Sequence, residues 1–418
     1  MDDSLDYDIV IVGAGMVGSA LACALGSQME SSQMPGNPSP RIALIEANSP
    51  ADWQGEYDIR VSAITPASVN IFHNIGAWSS MESGETGRVS PFRQMHVWDA
   101  AGSGKIHFDS ADIGEPLLGY IIENRVILKA LETRLNELGC VNRLCPVRLE
   151  GIEMSTDSAR VILDDGQQIR CQLLVGADGA SSPVRQMSGI NTSGWLYQQH
   201  GVVAVIETSA SHQETAWQRF LPTGPLAFLP LPDPNLCSIV WSTTPQQAEA
   251  LVTMPEAEFL QQLQQAIGDH LGEMIATGPR AHFPLRLQHA HEYVKPRMCL
   301  VGDAAHNVHP LAGQGVNLGL ADVAALTEVL ADAWPASDLG AMQRLRRYER
   351  WRKGENVSMM LTFDGFKRLF GSQFGPLKLL RNVGLNLTEA LPPLKDLIMR
   401  HSLGVYSDSA RLSRRKTP

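Results

Sequence analysis

The chain has 418 residues, more than one hydrophobic core usually holds, so two or three domains are expected. Its 34 Lys and Arg against 44 Asp and Glu leave a formal charge of −10, which disfavours a nucleic-acid partner. No apolar run approaches the length of a spanning helix, and the acidic N-terminus lacks a basic n-region, so neither a transmembrane segment nor a secretory signal is expected.

Tyr7 to Gly26 reads YDIVIVGAGMVGSALACALG. The β-branched run from Ile9 to Val12 suits a strand buried on both faces. Gly13, Gly15 and Gly18 follow in G-x-G-x-x-G spacing, with Met16 and Val17 between them, and a small-residue helix comes next. Strand, glycine turn and helix is the context of a dinucleotide-binding loop. Gly13 allows the tight turn, Gly15 lets the backbone approach a pyrophosphate, and Gly18 lets helix pack on strand. The helix N-terminus then faces the phosphates. Arg41 to Ala47 reads as a second buried strand ending at Glu46, whose carboxylate can accept both ribose hydroxyls. Glu46 lies 28 positions after Gly18, and Ser27 to Pro40 accounts for the excess over the usual spacing as an inserted surface loop.

Arg60 follows in IRVSAI, as either a surface arginine or a phosphate contact. Ala67 to Ile75 reads as helix, and Gln94 to Asp99 with Lys105 to Phe108 reads as a hairpin. Ile127 to Leu138 has helical periodicity, with Asn124 as its cap. Arg125 near that N-terminus works against the helix dipole, which favours a ligand role over a solvated one. Arg160 to Leu163 and Gln168 to Arg170 flank a hairpin turn. Leu173 to Val175 then enters Gly176-Ala177-Asp178-Gly179, an acidic glycine turn, with Ser181 or Ser182 as the next helix cap.

Four short β-like runs from Gly201 to Ser242 imply an antiparallel sheet distinct from the parallel one. Trp217, Phe220, Phe228 and Trp241 supply aromatic surface, for the core or for a ligand. Glu256 to Ile267 reads as an amphipathic helix. Met298 to Val301 returns as a buried strand and enters Gly302-Asp303. His306, His309-Pro310, Gly313-Gln314-Gly315 and Asn317 lead into a helix to Ala333, again a site for an anion or a ring edge. The histidines lack partners at metal spacing, so structural or cofactor-lining roles are expected and no metal site. The six cysteines lack C-x-x-C spacing and read as reduced core residues of a cytosolic protein.

Met359, Phe363, Phe366 and Phe370 recur at helical spacing, and Leu377, Leu380, Val383 and Leu387 continue the theme. From Asn356 to Leu403 six Lys or Arg face three Asp or Glu. These are helices packed on the body or a basic amphipathic surface for a membrane or a lipid-like substrate. Arg411 to Lys416 reads as a disordered polar tail.

The run GDAAHNVHPLAGQGVNLG, with RVSAI at Arg60 and GYIIENRVI before the first long helix, resembles the FAD-dependent hydroxylases of ubiquinone biosynthesis, within the para-hydroxybenzoate hydroxylase type. The resemblance spans essentially the whole chain and is closest to the 2-octaprenylphenol hydroxylase branch. It implies an α/β fold: a Rossmann-like FAD-binding domain with a parallel sheet, an antiparallel-sheet substrate domain and a C-terminal helical region. The boundaries it implies are 1–75, 101–185 and 285–345 for the discontinuous FAD domain, 76–100 and 186–284 for the substrate domain, and 346–418 for the helical region and tail.

The resemblance further implies FAD on Gly13, Gly15, Met16, Val17 and Gly18, with Glu46 on the adenosine ribose. Arg60 and Arg125 are expected near the cofactor, and Asp303 of Gly302-Asp303 on its ribityl or pyrophosphate portion. Asp178 and Gly179 are associated with FAD and with transient NAD(P)H. Gly313, Gln314, Gly315 and Asn317 are expected along the flavin ring. His309, Pro310, Phe228 and Trp241 are candidates to line the substrate ring. The implied reaction is hydroxylation of a polyprenylated phenol by O2 through a flavin C4a-hydroperoxide, so no protein nucleophile is expected. The absence of W-x-W-x-I-P argues against the halogenase branch. Two rivals are a flavin reductase of the same fold and a non-catalytic flavin-binding subunit of a biosynthetic complex. A cytoplasmic location is expected, with peripheral membrane or lipid contact through the C-terminal region.

Overall fold

The computed structural model describes residues 6–31, 38–49, 55–83, 88–100, 102–307, 315–371, 384, 387–389, 391–404 and 409–415. Strand Tyr7–Val12 lies inside the first sheet, parallel to Gln168–Gly176 on one side and Ile42–Ile45 on the other. Met298–Leu300 extends the parallel set beyond Gln168–Gly176, and Val141–Leu144 extends it beyond Ile42–Ile45. Ile9, Val10 and Ile11 are fully buried, which is why their run carries no polar alternation. The helices Met16–Ser31, Asn124–Glu137 and Gly315–Ala331 share one core with these strands. The cysteines are all free, and Cys23, Cys171, Cys237 and Cys299 are buried. Burial pushes the Cys23 and Cys171 thiols up to about 12.

A nine-stranded sheet forms the second layer, with Thr192–Thr208 paired to Ala281–Ala290 and Leu236–Thr243. It continues through Gly224–Pro230 and Thr215–Leu221 to the hairpin Gln94–Asp99 and Lys105–Asp109. Pairing is antiparallel except between Thr215–Leu221 and Gln94–Asp99, where a hairpin from earlier in the chain joins in parallel. The helices Pro245–Thr253 and Glu256–Ile267 cover one face with Phe259, Leu263 and Leu251. The other face packs through Ala216, Ala227 and Leu229 on Ala63 and Ile121 of a three-stranded sheet. That small sheet joins Val61–Ile64, Gly119–Glu123 and Val89–Phe92.

Several expectations change. The helix Met16–Ser31 runs five residues, Ser27 to Ser31, into the segment read as a loop, and Met29 among them is fully buried; residues 32–37 lie outside the described ones. Asn124 does not cap its helix. Its Oδ1 accepts the Ser62 hydroxyl at 2.7 Å instead. Ser182, not Ser181, is the cap at the acidic turn, accepting the Arg185 N–H at 2.9 Å. Lys105–Asp109 and Ala281–Ala290 both pair within the nine-stranded sheet.

The polar tail is docked through Arg414. Leu412 is buried, and Asn74 and Asn70 donate to the carbonyls of Leu412 and Ser413 at 2.7 and 3.0 Å. Arg411 reaches Asp332 at 2.9 Å. The helix Met342–Gly371 is continuous. The helix Pro392–Leu403 buries Met399 and Leu403 against Ile113 and Leu118. The side chains of Phe363, Phe366 and Phe370, and residues 377, 380 and 383, lie outside what is described.

Candidate functional site

Neighbouring parallel strands end in the motifs singled out from sequence. In spatial order Met298–Leu300 leads to Gly302-Asp303, Gln168–Gly176 to Asp178, Tyr7–Val12 to Gly13, and Ile42–Ile45 to Glu46. Ligands of open α/β sheets bind at such carboxyl ends. The turns interlock. Gly13 donates to the Ile45 carbonyl at 2.8 Å, Ala177 to that of Val12 at 2.8 Å, and Val301 to that of Gly176 at 3.0 Å. Gly13 has φ +102°, and a Cβ there would lie 2.4 Å from the Ala177 oxygen. At Gly18 a Cβ would lie 1.9 Å from the Gly13 oxygen. Gly15 differs: a Cβ there meets no protein atom within 4 Å. Its backbone faces open space at a helix N-terminus, where a pyrophosphate fits.

Glu46 accepts the Ala14 N–H at 2.9 Å through one oxygen and the Asn48 N–H at 2.9 Å through the other. The Asn48 side-chain amide also donates to that second oxygen at 3.3 Å, so the oxygen facing Ala14 keeps a lone pair for a ribose hydroxyl. Asp178 accepts the Val184 N–H at 2.8 Å through Oδ2, while its buried Oδ1 has no hydrogen-bond partner. Burial pushes this carboxyl up, against the pull of Ser182 and the Val184 N–H.

Asp303 has accessible surface at the carboxyl end of the parallel strands, where open α/β sheets leave a crevice. Desolvation there pushes its carboxyl up, opposed by His306, Asn307, Arg60 and Arg286. Its Oδ2 accepts the Asn307 amide at 2.9 Å. An orphaned acid oxygen, an accessible acid and an open glycine turn, side by side, fit the hydroxyls and phosphates of a dinucleotide.

The flanking residues sort differently. Val17 does not face the cleft alone, since its side chain fills the space that Cβ atoms at Gly302 and Gly319 would take. Met16, half-buried, packs at the edge of the same core. Gly179 has φ +79°, which keeps the Asp178 turn tight. Arg60 is exposed and acts on Asp303 through its charge. Arg125 pairs with Glu123 at 3.0 Å. Gly315 opens the helix Gly315–Ala331. Asn317 locks that helix to the small sheet, accepting the Thr65 N–H at 3.1 Å and donating to the Ala63 carbonyl at 2.7 Å. His309, Pro310, Gly313 and Gln314 lie outside the described residues.

Phe228 and Trp241 are core residues of the helix-covered face, buried with Leu226, Ile239 and Phe259. Strand alternation turns Ala227 and Val240 towards the small sheet instead. Both rings are buried on the helix-covered face, opposite the face that packs on the three-stranded sheet. His306 is buried on Asp322 at 2.5 Å, a structural role. Sequence reasoning missed Asp322, Arg352 and Arg185. Arg185 donates to the carbonyls of Ala304 and Ala180 at 2.8 Å each and so ties two of the turns together. An aspartate inside the apolar run GLADVAAL was the available signal for Asp322.

This arrangement defines a dinucleotide-binding protein of the Rossmann type. The FAD binding domain family matches residues 6–355. The p-nitrophenol 4-monooxygenase PnpA of Pseudomonas putida DLL-E4 shares the fold, with a TM-score of 0.75 at 17% identity over 97% of this chain and 98% of that one.

Sequence relatives are more specific. The ubiquinone biosynthesis monooxygenase COQ6 of Xenopus tropicalis is 38% identical over 94% of this chain and 92% of its own. The ubiquinone hydroxylase UbiL of Rhodospirillum rubrum is 38% identical, over 95% and 89%. The 3-demethoxyubiquinol 3-hydroxylase of Escherichia coli is 36% identical, over 95% and 98%. The chain belongs to the family of FAD-dependent hydroxylases of ubiquinone biosynthesis.

Proposed function

We propose that this chain hydroxylates the aromatic ring of a polyprenylated phenol on the way to ubiquinone, using O2 and NAD(P)H. The observation that carries the reading is near-complete coverage of ubiquinone hydroxylases at 36–38% identity. Bound FAD supplies the oxygen activation. The chain supplies the rest: Glu46 and the Gly13 to Gly18 turn hold the dinucleotide, and Asp303 and Asp178 accept its hydroxyls. The reductant is proposed to visit transiently near Asp178, at the acidic glycine turn.

The C-terminal helices are proposed to serve the lipid side of the substrate through peripheral membrane contact. Leu361 and Leu397 are 68% and 66% exposed there. Among the described residues, no helix is long and apolar enough to cross a membrane.

The test uses purified holoprotein with a short-chain prenylphenol, NADH or NADPH, and 18O2. One labelled oxygen in the ring is the expected product. Substrate turnover without label marks a reductase. No substrate-stimulated NAD(P)H oxidation marks a non-catalytic subunit.

A further inference from the structure

Asp322 lies in the helix Gly315–Ala331 and has no exposed surface. Its oxygens receive four donors. Oδ2 accepts the Gly302 N–H at 3.0 Å and His306 Nε2 at 2.5 Å. Oδ1 accepts Arg352 Nε at 2.8 Å and the Asn356 amide at 3.2 Å. A buried ion pair gives little or no stability over a well-packed apolar pair, so packing alone does not explain this one.

The geometry shows what the carboxylate holds. Gly302 and His306 are the two ends of one tight turn, closed by the Ala305 N–H on the Gly302 carbonyl at 2.9 Å. Gly302 has φ +59°, and Val17 stands 3.1 Å from where its Cβ would be, so a side chain at this end of the turn would be strained and crowded. Asp303, the accessible acid of the cofactor cleft, lies between the two ends. His306 also begins the strand His306–Asn307, which pairs with Ala281–Ala290 of the nine-stranded sheet. Arg352 and Asn356 come from the helix Met342–Gly371, and Arg352 Nη2 donates to Asn356 Oδ1 at 2.8 Å. Asn356 also reaches the Tyr293 hydroxyl at 3.3 Å. The oxygens of Asp322 are therefore aimed from both sides before they grip the turn.

We propose that Asp322, oriented by His306, Arg352 and Asn356, is a positioning residue that sets Asp303 for FAD. It touches no cofactor itself and acts through the Gly302 to His306 turn. The inference rests on FAD binding and not on the identity of the substrate, so each can fail without the other.

The experiment is a double-mutant cycle on the full chain, read by FAD titration and by melting of the apoprotein. Asp322→Asn keeps the shape of the side chain but turns an amide donor towards existing donors. It should weaken FAD binding about tenfold or more, the scale of a charged hydrogen bond. The bound flavin of this variant should also show a shifted visible spectrum. Combined with Asp303→Ala, it should add little further loss, because both changes remove the same contact. Fully additive losses overturn the proposal. So does an unchanged FAD affinity beside a lowered apoprotein melting temperature, which makes Asp322 a core residue only. If Asp322→Asn does not fold, Arg352→Gln in the same cycle carries the test, with the same non-additive outcome expected and the same additive outcome fatal.

Discussion

The Glu46 carboxylate accepts the Ala14 N–H at 2.9 Å, so the acid at the end of one strand fastens the glycine turn at the end of its neighbour. The same side chain that is positioned to receive ribose hydroxyls thereby also shapes the pyrophosphate turn. Glu46→Gln retains an acceptor and the shape but loses the charge. FAD affinity should fall by about tenfold, the worth of one charge-assisted hydrogen bond. Isothermal titration of apoprotein with FAD measures it, and unchanged affinity would place the ribose elsewhere.

The glycines of the turn separate by what surrounds them. Gly13→Ala drives a Cβ into the Ala177 carbonyl at an unfavourable φ, so it should destabilise the apoprotein by about 1–3 kcal/mol. Gly15→Val meets no protein atom at its Cβ, so apoprotein stability should stay within about 0.5 kcal/mol while FAD affinity drops. Apoprotein denaturation and FAD fluorescence titration on both variants check the contrast. Equal stability losses would mean that the space at Gly15 is not a ligand site.

Asp303 makes a prediction with a sign. Desolvation raises its carboxyl above the ordinary value in the folded chain. A raised acid costs stability once pH climbs through the unfolded value, because folding then opposes ionisation. Asp303→Asn should therefore raise apoprotein melting above the ordinary carboxylate range, and the gain should vanish at lower pH. The same variant should bind FAD more weakly, having exchanged function for stability. A lower melting temperature at neutral pH would count against this reading.

The architecture was legible where the residues satisfy one requirement at a time. Ile9 to Val12 is buried on both faces and nothing else, Gly13 and Gly18 each lack room for a Cβ against a backbone carbonyl, and Gly15 faces open space, so the first sheet and its cofactor turn read directly. The Asp178 and Asp303 turns were legible as glycine-acid pairs after buried strands. Legibility failed where two uses compete for one residue type. Phe228 and Trp241 have aromatic surface suited to a ligand or a core, and only strand register sends them to the helix side. Asn124 has the chemistry of a cap, but Ser62, distant in sequence, takes its oxygen. Asp322, Arg352 and His306 meet only in space, so no spacing rule announces them.

Asp322 also sets an acid limit. Burial alone would raise its carboxyl, but the charges and hydrogen bonds of His306 and Arg352 outweigh that and hold it at about 2. A depressed acid contributes stability that is present above the unfolded value and lost as pH falls towards the folded one. The loss should run from the ordinary aspartate value of 3.8 down to about 2. Acid unfolding of Asp322→Asn, followed by circular dichroism, should show a shallower dependence than wild type across that window. A parallel dependence would show that other acids govern it.

The C-terminal helices offer the test of lipid contact. Leu361 lies on the helix Met342–Gly371 and Leu397 on the helix Pro392–Leu403. Both are more than half exposed, and Leu387 at 52% and Leu391 at 43% add to the apolar surface of the same C-terminal region. Single exposed leucines are common, but several in one region suit the membrane edge proposed above. Burying a leucine in lipid is worth about 1.5–3 kcal/mol, so each should contribute about tenfold or more to vesicle binding. Leu361→Glu with Leu397→Glu removes that gain and costs the fold little, since neither side chain is in the core. Flotation with vesicles of mixed neutral and anionic lipid should fall steeply in the double variant, while turnover of a short soluble prenylphenol stays at the wild-type level. Turnover of a long-chain substrate presented in the vesicles should fall with binding. If flotation is unchanged, these leucines do not meet a membrane. If the short substrate is lost too, together with melting temperature, they hold the fold and the lipid proposal fails at these positions.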